Sequence, residues 1–383
     1  MAKRPIFEET AAPAQAPARA AARAAAAPPR GIEGPQGARR AIRAWLWLLF
    51  AMVVALIALG GLTRLTDSGL SITEWRPLAG ALPPMNAADW QAEFTRYRQI
   101  DQYQLVNEGM SLSEFQFIYW WEWSHRQLGR LVGLVWALGF AWFYLRKQIP
   151  VGWTGRLLIP GILGGAQGAI GWWMVYSGLQ DGMIAVASYR LAIHLGLAFV
   201  ILGVLAWYSL LLGRPESALL QARRGREAKL FSMTTGLMHF AFVQILLGAL
   251  VAGIDAGRGY TDWPLMAGGI LPPGMWDLTP GWRNLFENDG TVQFIHRVSG
   301  YLLAAFGIVV WMRGRRSAFA ATRRAYGALL VVMLAQIVLG IVTVIYGAPV
   351  ALGLSHQLVA VLLWVMILRA RHYAQFPSGG TIR

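Results

Sequence analysis

Cysteine is absent from this 383-residue chain. That excludes disulfides, thiolate metal sites and thiol nucleophiles, and leaves the redox compartment unread. Charge is scarce as well: Asp, Glu, Lys and Arg make up 14% of the residues, where a soluble domain carries about a quarter. The acidic kind is scarcer, 19 residues against 34 Lys and Arg. The resulting net charge of +15 is not gathered on a soluble face; it lies in short connections between apolar runs, so nucleic-acid binding is not expected. What is there instead is apolar. Hydrophobic residues reach 56%, mean hydropathy is +0.44, and several runs have the roughly 20 residues that cross a bilayer. Numerous Trp and Tyr suit the two headgroup levels. The chain reads as an all-α integral membrane protein.

Eight spans are read, at about 42–62, 124–145, 157–176, 189–212, 231–253, 292–312, 325–346 and 351–370. Basic clusters flank alternate connections: Arg39, Arg40 and Arg43; Arg146, Lys147 and Arg156; Arg214, Arg223, Arg224, Arg226 and Lys229; Arg313, Arg315, Arg316, Arg323 and Arg324; Arg369 and Arg371. All five fall on one side of an eight-span arrangement, which puts both termini in the cytoplasm. Residues 1–40, rich in Ala, Pro and Arg, are expected to be a disordered cytoplasmic tail. Glu8 and Glu9 argue against a mitochondrial presequence, and no cleavable signal precedes the first span.

Two long outer loops, 63–123 and 254–291, each follow the first span of a half, and they match. Glu74-Trp75-Arg76-Pro77-Leu78-Ala79-Gly80-Ala81-Leu82-Pro83-Pro84 aligns with Asp262-Trp263-Pro264-Leu265-Met266-Ala267-Gly268-Gly269-Ile270-Leu271-Pro272-Pro273. Gln167 with Gly171 matches Gln336 with Gly340 in the third span of each half. Four spans return the chain to its starting side, so the expected architecture is two parallel-repeat four-helix bundles. The division follows: 41–213, a linker at 214–230, 231–372, and a cytoplasmic tail at 373–383. The first loop is expected to hold a polar helical stretch, Asp89–Met110. After it comes a capping box at Ser111-Leu112-Ser113-Glu114, which would start a short helix leading into Phe115–Trp123.

Four of the six histidines fall at matched places. His125 and His296 open the second span of each half; His194 and His356 lie near the start of the fourth. Each half thus offers two imidazoles from two helices at one depth, near the outer face. Two facing imidazoles are what a haem iron with two axial nitrogens needs. The competing account is interhelical hydrogen bonding. Gly129, Gly133, Gly196 and Gly300 would let a flat macrocycle approach the backbone, and Arg126 and Arg297 would pair with its propionates. His239, unmatched in the first half, is expected to be a hydrogen-bonding core residue, and His372 to be solvated. The halves differ at one position: Glu122, one turn before His125, is matched by Gln293. A carboxylate beside only one site points to chemistry there and cofactor holding in the other; capping of the helix N-terminus explains Glu122 equally well.

At these residues the chain resembles the haem A synthase family, from about residue 44 to 372. Gly60-Gly61-Leu62-Thr63-Arg64-Leu65-Thr66-Asp67-Ser68-Gly69-Leu70-Ser71 is similar to the family's first-loop signature, and Glu122-x-x-His125-Arg126 to its substrate-half signature. Trp263-Pro264-Leu265-Met266 and His296-Arg297 resemble the second-half counterparts. The branch resembled is the alphaproteobacterial and mitochondrial one, without the cysteine pair that other relatives carry in the first outer loop. The resemblance implies haem b as cofactor on His296 and His356, with His125 and His194 facing the iron of the substrate, haem O. It implies Glu122 as the carboxylate beside the reacting methyl, and oxidation of that methyl to formyl for cytochrome oxidase assembly. Haem O synthase as a delivering partner, an unidentified electron donor and a bacterial inner-membrane location are further implications, with homo-oligomerisation left open. Two other readings stand beside this one: a di-haem b-type electron-transfer protein, and a parallel-repeat transporter. The transporter is disfavoured because its ionisable residues belong at the midplane.

Overall fold

Eight long helices are strung on loops, and the spacing of apolar side chains explains both what they bury and what they leave outside. The computed structural model describes residues 36–76 and 79–378. Most of the expected N-terminal tail, Pro77 and Leu78 of the loop motif, and residues 379–383 lie outside the described residues. The helices are α1 (Gln36–Leu65), α2 (Leu112–Leu145), α3 (Thr154–Gly178), α4 (Ser188–Leu212), α5 (Ala228–Gly253), α6 (Asp289–Gly314), α7 (Ala320–Ile345) and α8 (Val350–Gln375). Each is long and apolar enough to cross a membrane, and no strand occurs among the described residues beyond one isolated bridge, Met266 with Gly269. Outward-facing Leu131, Leu134, Leu138 and Trp142 on α2, and Val331, Leu334 and Val338 on α7, recur at helical spacing. Such stripes are unfavourable in water and at home in lipid.

Boundaries differ from the sequence reading by a few residues at most helix ends, and three differences matter. Residues 36–40 belong to α1 and not to a tail, and α8 continues to Gln375. The largest difference is α2, which begins at Leu112 and runs unbroken for 34 residues. The expected capping box is there: Ser111 Oγ accepts from the Glu114 amide, and the Glu114 carboxylate accepts from the Ser111 amide at 2.8 Å. It starts the span itself instead of a separate short helix.

The outer projection of α2 anchors the first loop. Helices Ala87–Tyr97 and Asp101–Leu105 pack Phe94, Tyr97 and Tyr103 against Phe115, Ile118 and Tyr119. Tyr97 is fully buried, donates to Gln102 Oε1 (3.0 Å) and accepts from Asn107 Nδ2 (2.7 Å). Burial pushes its phenol up to about 12. On the opposite side, Arg39 and Arg43 donate to main-chain carbonyls at the end of α4, including Leu211 (3.1 Å) and Ser209 (3.0 Å). These carbonyls have no partner within their own helix.

Two cores form, and the last helix belongs to both. Val361, Trp364 and Leu368 join the core built by α1, α2, α3 and α4. Leu363, Ile367, Ala370 and Ala374 join the core of α5, α6 and α7. The two sets lie on different faces of α8 at three- and four-residue spacing. Trp364 Nε1 also donates to the Phe199 carbonyl (3.1 Å), and Gln357 Nε2 to that of Ile57 (2.8 Å). His372 is 3% exposed, among Trp207, Tyr373 and Phe376. The expectation that it is solvated is therefore overturned, because α8 continues to Gln375 and packs His372 against Trp207 of α4.

Candidate functional site

α2 delivers His125 and α4 delivers His194, and their ring centroids lie 6.5 Å apart at an interplanar angle of 63°. In the other half α6 and α8 deliver His296 and His356, which are close enough to interact electrostatically. Every one of the four rings is seated on a glycine of an adjoining helix. A Cβ on Gly60 would stand 3.0 Å from His125 Cε1, on Gly171 2.9 Å from His194 Cε1, on Gly248 3.1 Å from His296 Cε1 and on Gly340 2.8 Å from His356 Cε1. A side chain at any of them would push the ring away. The sequence reading had matched Gly171 with Gly340 without giving them this contact, and it missed Gly60 and Gly248. Gly129 and Gly133, proposed there as a macrocycle cradle, meet nothing within 4 Å; Gly196 is against Leu246, and Gly300 against Gln244.

Three of the four rings have a glutamine exactly one turn before the seating glycine. Gln167 Nε2 lies 3.2 Å from His194 Nδ1 and donates to the His194 carbonyl at 2.9 Å. Gln244 Nε2 lies 3.1 Å from His296 Nδ1 and donates to the His296 carbonyl at 2.9 Å. Gln336 Nε2 lies 3.2 Å from His356 Nε2. At the fourth place the residue is Leu56, and His125 Nδ1 is buried without a hydrogen-bond partner. Gln167 Oε1 and Gln336 Oε1 are likewise buried and unpaired.

Outside each pair, a latch ties the loop to the helix. Arg126 donates to the carbonyls of Ile72 (2.9 Å) and Glu74 (3.4 Å). Arg297 donates to those of Tyr260 (2.8 Å) and Asp262 (2.9 Å), the same places in the aligned loop, and also to that of Leu265 (3.0 Å). Asp262 in turn accepts from the Gly268 and Ala267 amides (2.9 and 3.0 Å), which hold its carboxyl below the usual carboxylate range. Both arginines, expected to meet propionates, thus direct their guanidiniums at the loops. Glu122 is 3% exposed and receives three donors: Ser71 Oγ (2.7 Å), the Ile72 amide (2.8 Å) and Arg126 (2.5 Å). It lies well inside α2, so helix capping no longer accounts for it. Gln293 occupies the same latch with an amide, donating to the Tyr260 carbonyl (3.1 Å) and accepting from Arg297 (3.2 Å).

One further residue crosses between the halves. Arg64 donates to Asp67 (2.7 Å), Asp255 (2.6 Å) and the Gly253 carbonyl (3.2 Å). Asp67 and Asp255 follow α1 and α5 at matching places, and both adopt the left-handed conformation, φ 52° and 55°, which Asp tolerates because its side chain bonds locally. His239 stays outside this chemistry. Its Nδ1 bonds the Thr235 carbonyl of its own helix (2.9 Å) on the exposed face, so it is not the core residue expected.

The residues present fit haem. Among the described residues no group of three or more His, Cys, Asp or Glu could hold a bare metal ion; two imidazoles suffice only when the metal brings its own equatorial donors. With metal–imidazole bonds of about 2.1 Å, two axial rings stand roughly 6–6.5 Å apart centre to centre, as His125 and His194 do. Buried orphan polar atoms beside the rings and glycines under them complete the fit.

Fold and site together define a multi-pass membrane protein built around two pairs of intramembrane histidines. Residues 43–368 match the cytochrome oxidase assembly protein family, COX15-CtaA. Along its whole length the chain is 63% identical to a protein of Ruegeria sp. (strain TM1040) named heme A synthase, covering all of it. It is 62% identical to the heme A synthase of Ruegeria pomeroyi and 61% to that of Paracoccus denitrificans, covering 99% of each. The chain belongs to the cytochrome oxidase assembly protein family.

Proposed function

We propose that the chain carries the activity its relatives are named for: it is a haem A synthase, a membrane oxidoreductase that converts a methyl group of haem O to the formyl group of haem A. The substrate haem lies between His125 and His194, and haem b is held by His296 and His356. The observation that carries this division of labour is Glu122 against Gln293. Two latches share the same loop carbonyls and the same arginine, yet only the first has a group able to take a proton.

Haem b, when bound, supplies one-electron transfer toward an external carrier. His125 and His194 would hold the substrate by its iron between α2 and α4. Glu122 accepts protons released as the methyl carbon gives up four electrons to that carrier and takes its formyl oxygen from water, and Ser71 Oγ, bonded to the Glu122 Oε2, leads toward the outer loop. Both termini lie in the cytoplasm and both histidine pairs near the periplasmic face of the bacterial inner membrane, with haem O synthase as the expected source of substrate.

The equal seating of all four rings on glycine favours one other reading, a di-haem b-type electron conduit. Extraction and chromatography of the haems bound to the purified protein separate the two. Haem b together with haem O, haem A or a hydroxylated species between them is the expected result. Haem b alone at two per chain would establish the conduit instead.

A further inference from the structure

With Arg126 and Arg297 latched to loop carbonyls, another cation stands at the substrate pair. Arg190 lies four residues before His194 on α4, one turn and about 6 Å further outward. As the third residue of α4, it places positive charge where the helix dipole already makes the potential positive, an unfavourable position unless an anion joins it. Its Nε is buried without a hydrogen-bond partner, and among the described residues no carboxylate pairs with it within 4 Å. The guanidinium lies over the Trp173 ring at 4.5 Å and near that of Tyr189 at 5.8 Å. Stacking on an aromatic face fixes the plane and leaves the edge donors free for a planar, bidentate acceptor.

Arg190 also lines a cavity of about 450 Å³, together with Trp173, Tyr176, Ser177, Asp181 and Tyr189. The link to the histidine pair is Arg190 itself, one turn before His194 on the same face of α4. The corresponding residue before His356 is Leu352, which can recognise no anion. The feature therefore belongs to one half only, the half proposed to exchange its haem.

We infer that Arg190 is the carboxylate-binding residue of the substrate site, taking a propionate of the incoming haem while His194 takes its iron. This rests on the proposed function and adds to it how the substrate is oriented: one propionate toward the α3–α4 cavity sets the rotation of the macrocycle about the iron, and with it which methyl is presented to α2. The orphan Nε and the stacked plane are then a preformed site whose partner arrives with the substrate.

The test titrates purified, haem b-loaded protein with haem O and with its propionate dimethyl ester, following the second low-spin Soret band. Wild type is expected to bind the diacid about ten- to a hundredfold more tightly than the ester. Arg190→Gln is expected to lose that preference while keeping ester affinity and the low-spin spectrum, and Arg190→Lys to retain part of it. Equal binding of diacid and ester by wild type would overturn the inference without recourse to any variant. So would an undiminished preference in Arg190→Gln. A wild type that binds no second haem at all would overturn the substrate site itself, and Arg190's part with it.

Discussion

The two histidine pairs are built to one plan, and three of the side chains that differ between them bear on chemistry. Glu122 stands against Gln293, Arg190 against Leu352, and Leu56 against Gln244. The first two add charge, and the third removes a side-chain amide from beside the ring. The shared features, glycine seats and latched loops, are those any tightly held macrocycle needs. On the proposed function, the differences are those of a site that must do proton chemistry, recognise an arriving anion and let its haem go. The glutamine matters because a residue that fixes the orientation of a ligating ring typically changes metal affinity ten- to a hundredfold, and the amides of Gln167 and Gln244 tie ring and carbonyl of their histidines together.

Breaking one histidine in each half should give the largest contrast. His296→Ala is expected to leave the purified protein nearly without haem b, while His125→Ala keeps it and loses conversion. Haem per chain from the pyridine haemochrome spectrum checks this, and equal losses would end the assignment of roles. Next in size is Glu122→Gln, which makes the first latch like the second. Haem b content should be unchanged and haem A formation should fall about a hundredfold or more; normal haem A production would remove the carboxylate from the chemistry. The smallest effect is expected from exchanging the glutamine. Gln244→Leu should weaken haem b retention by about tenfold, and Leu56→Gln should strengthen retention of haem at the first site by a similar factor. Dissociation to an apo-globin acceptor measures both; no change in either would reduce the glutamines to packing.

Much of this was legible in the chain because membrane constraints write strongly. Apolar length gave all eight helices, and the four matched histidines do come together in pairs. Local signals were read correctly but placed too narrowly: the Ser111–Glu114 box begins the whole of α2, since nothing between Phe115 and Trp123 stops a helix. What escaped were features carried by a neighbour. Gly60 and Gly248 look like ordinary span glycines until a ring from another helix is set against them. Arg126 and Arg297 sit beside histidines in sequence, yet on a helix consecutive residues point in different directions, and theirs is toward the loops. Arg190 needed the same reasoning in reverse, being four residues from His194 and hence on its face. A glutamine one turn before the glycine, present three times out of four, was a signal available in the sequence; the two copies noticed there could have led to the third at Gln244 and to the gap at Leu56.

The double membership of α8 bears on biosynthesis. Helices enter the membrane in the order they are made, and the first four already carry both histidines of the first pair. Yet their core stays open until Val361, Trp364 and Leu368 arrive on the last helix. The same helix closes the second core with its other face and brings His356. A nascent chain therefore holds two unfinished bundles until its final span is inserted, and one late event completes both.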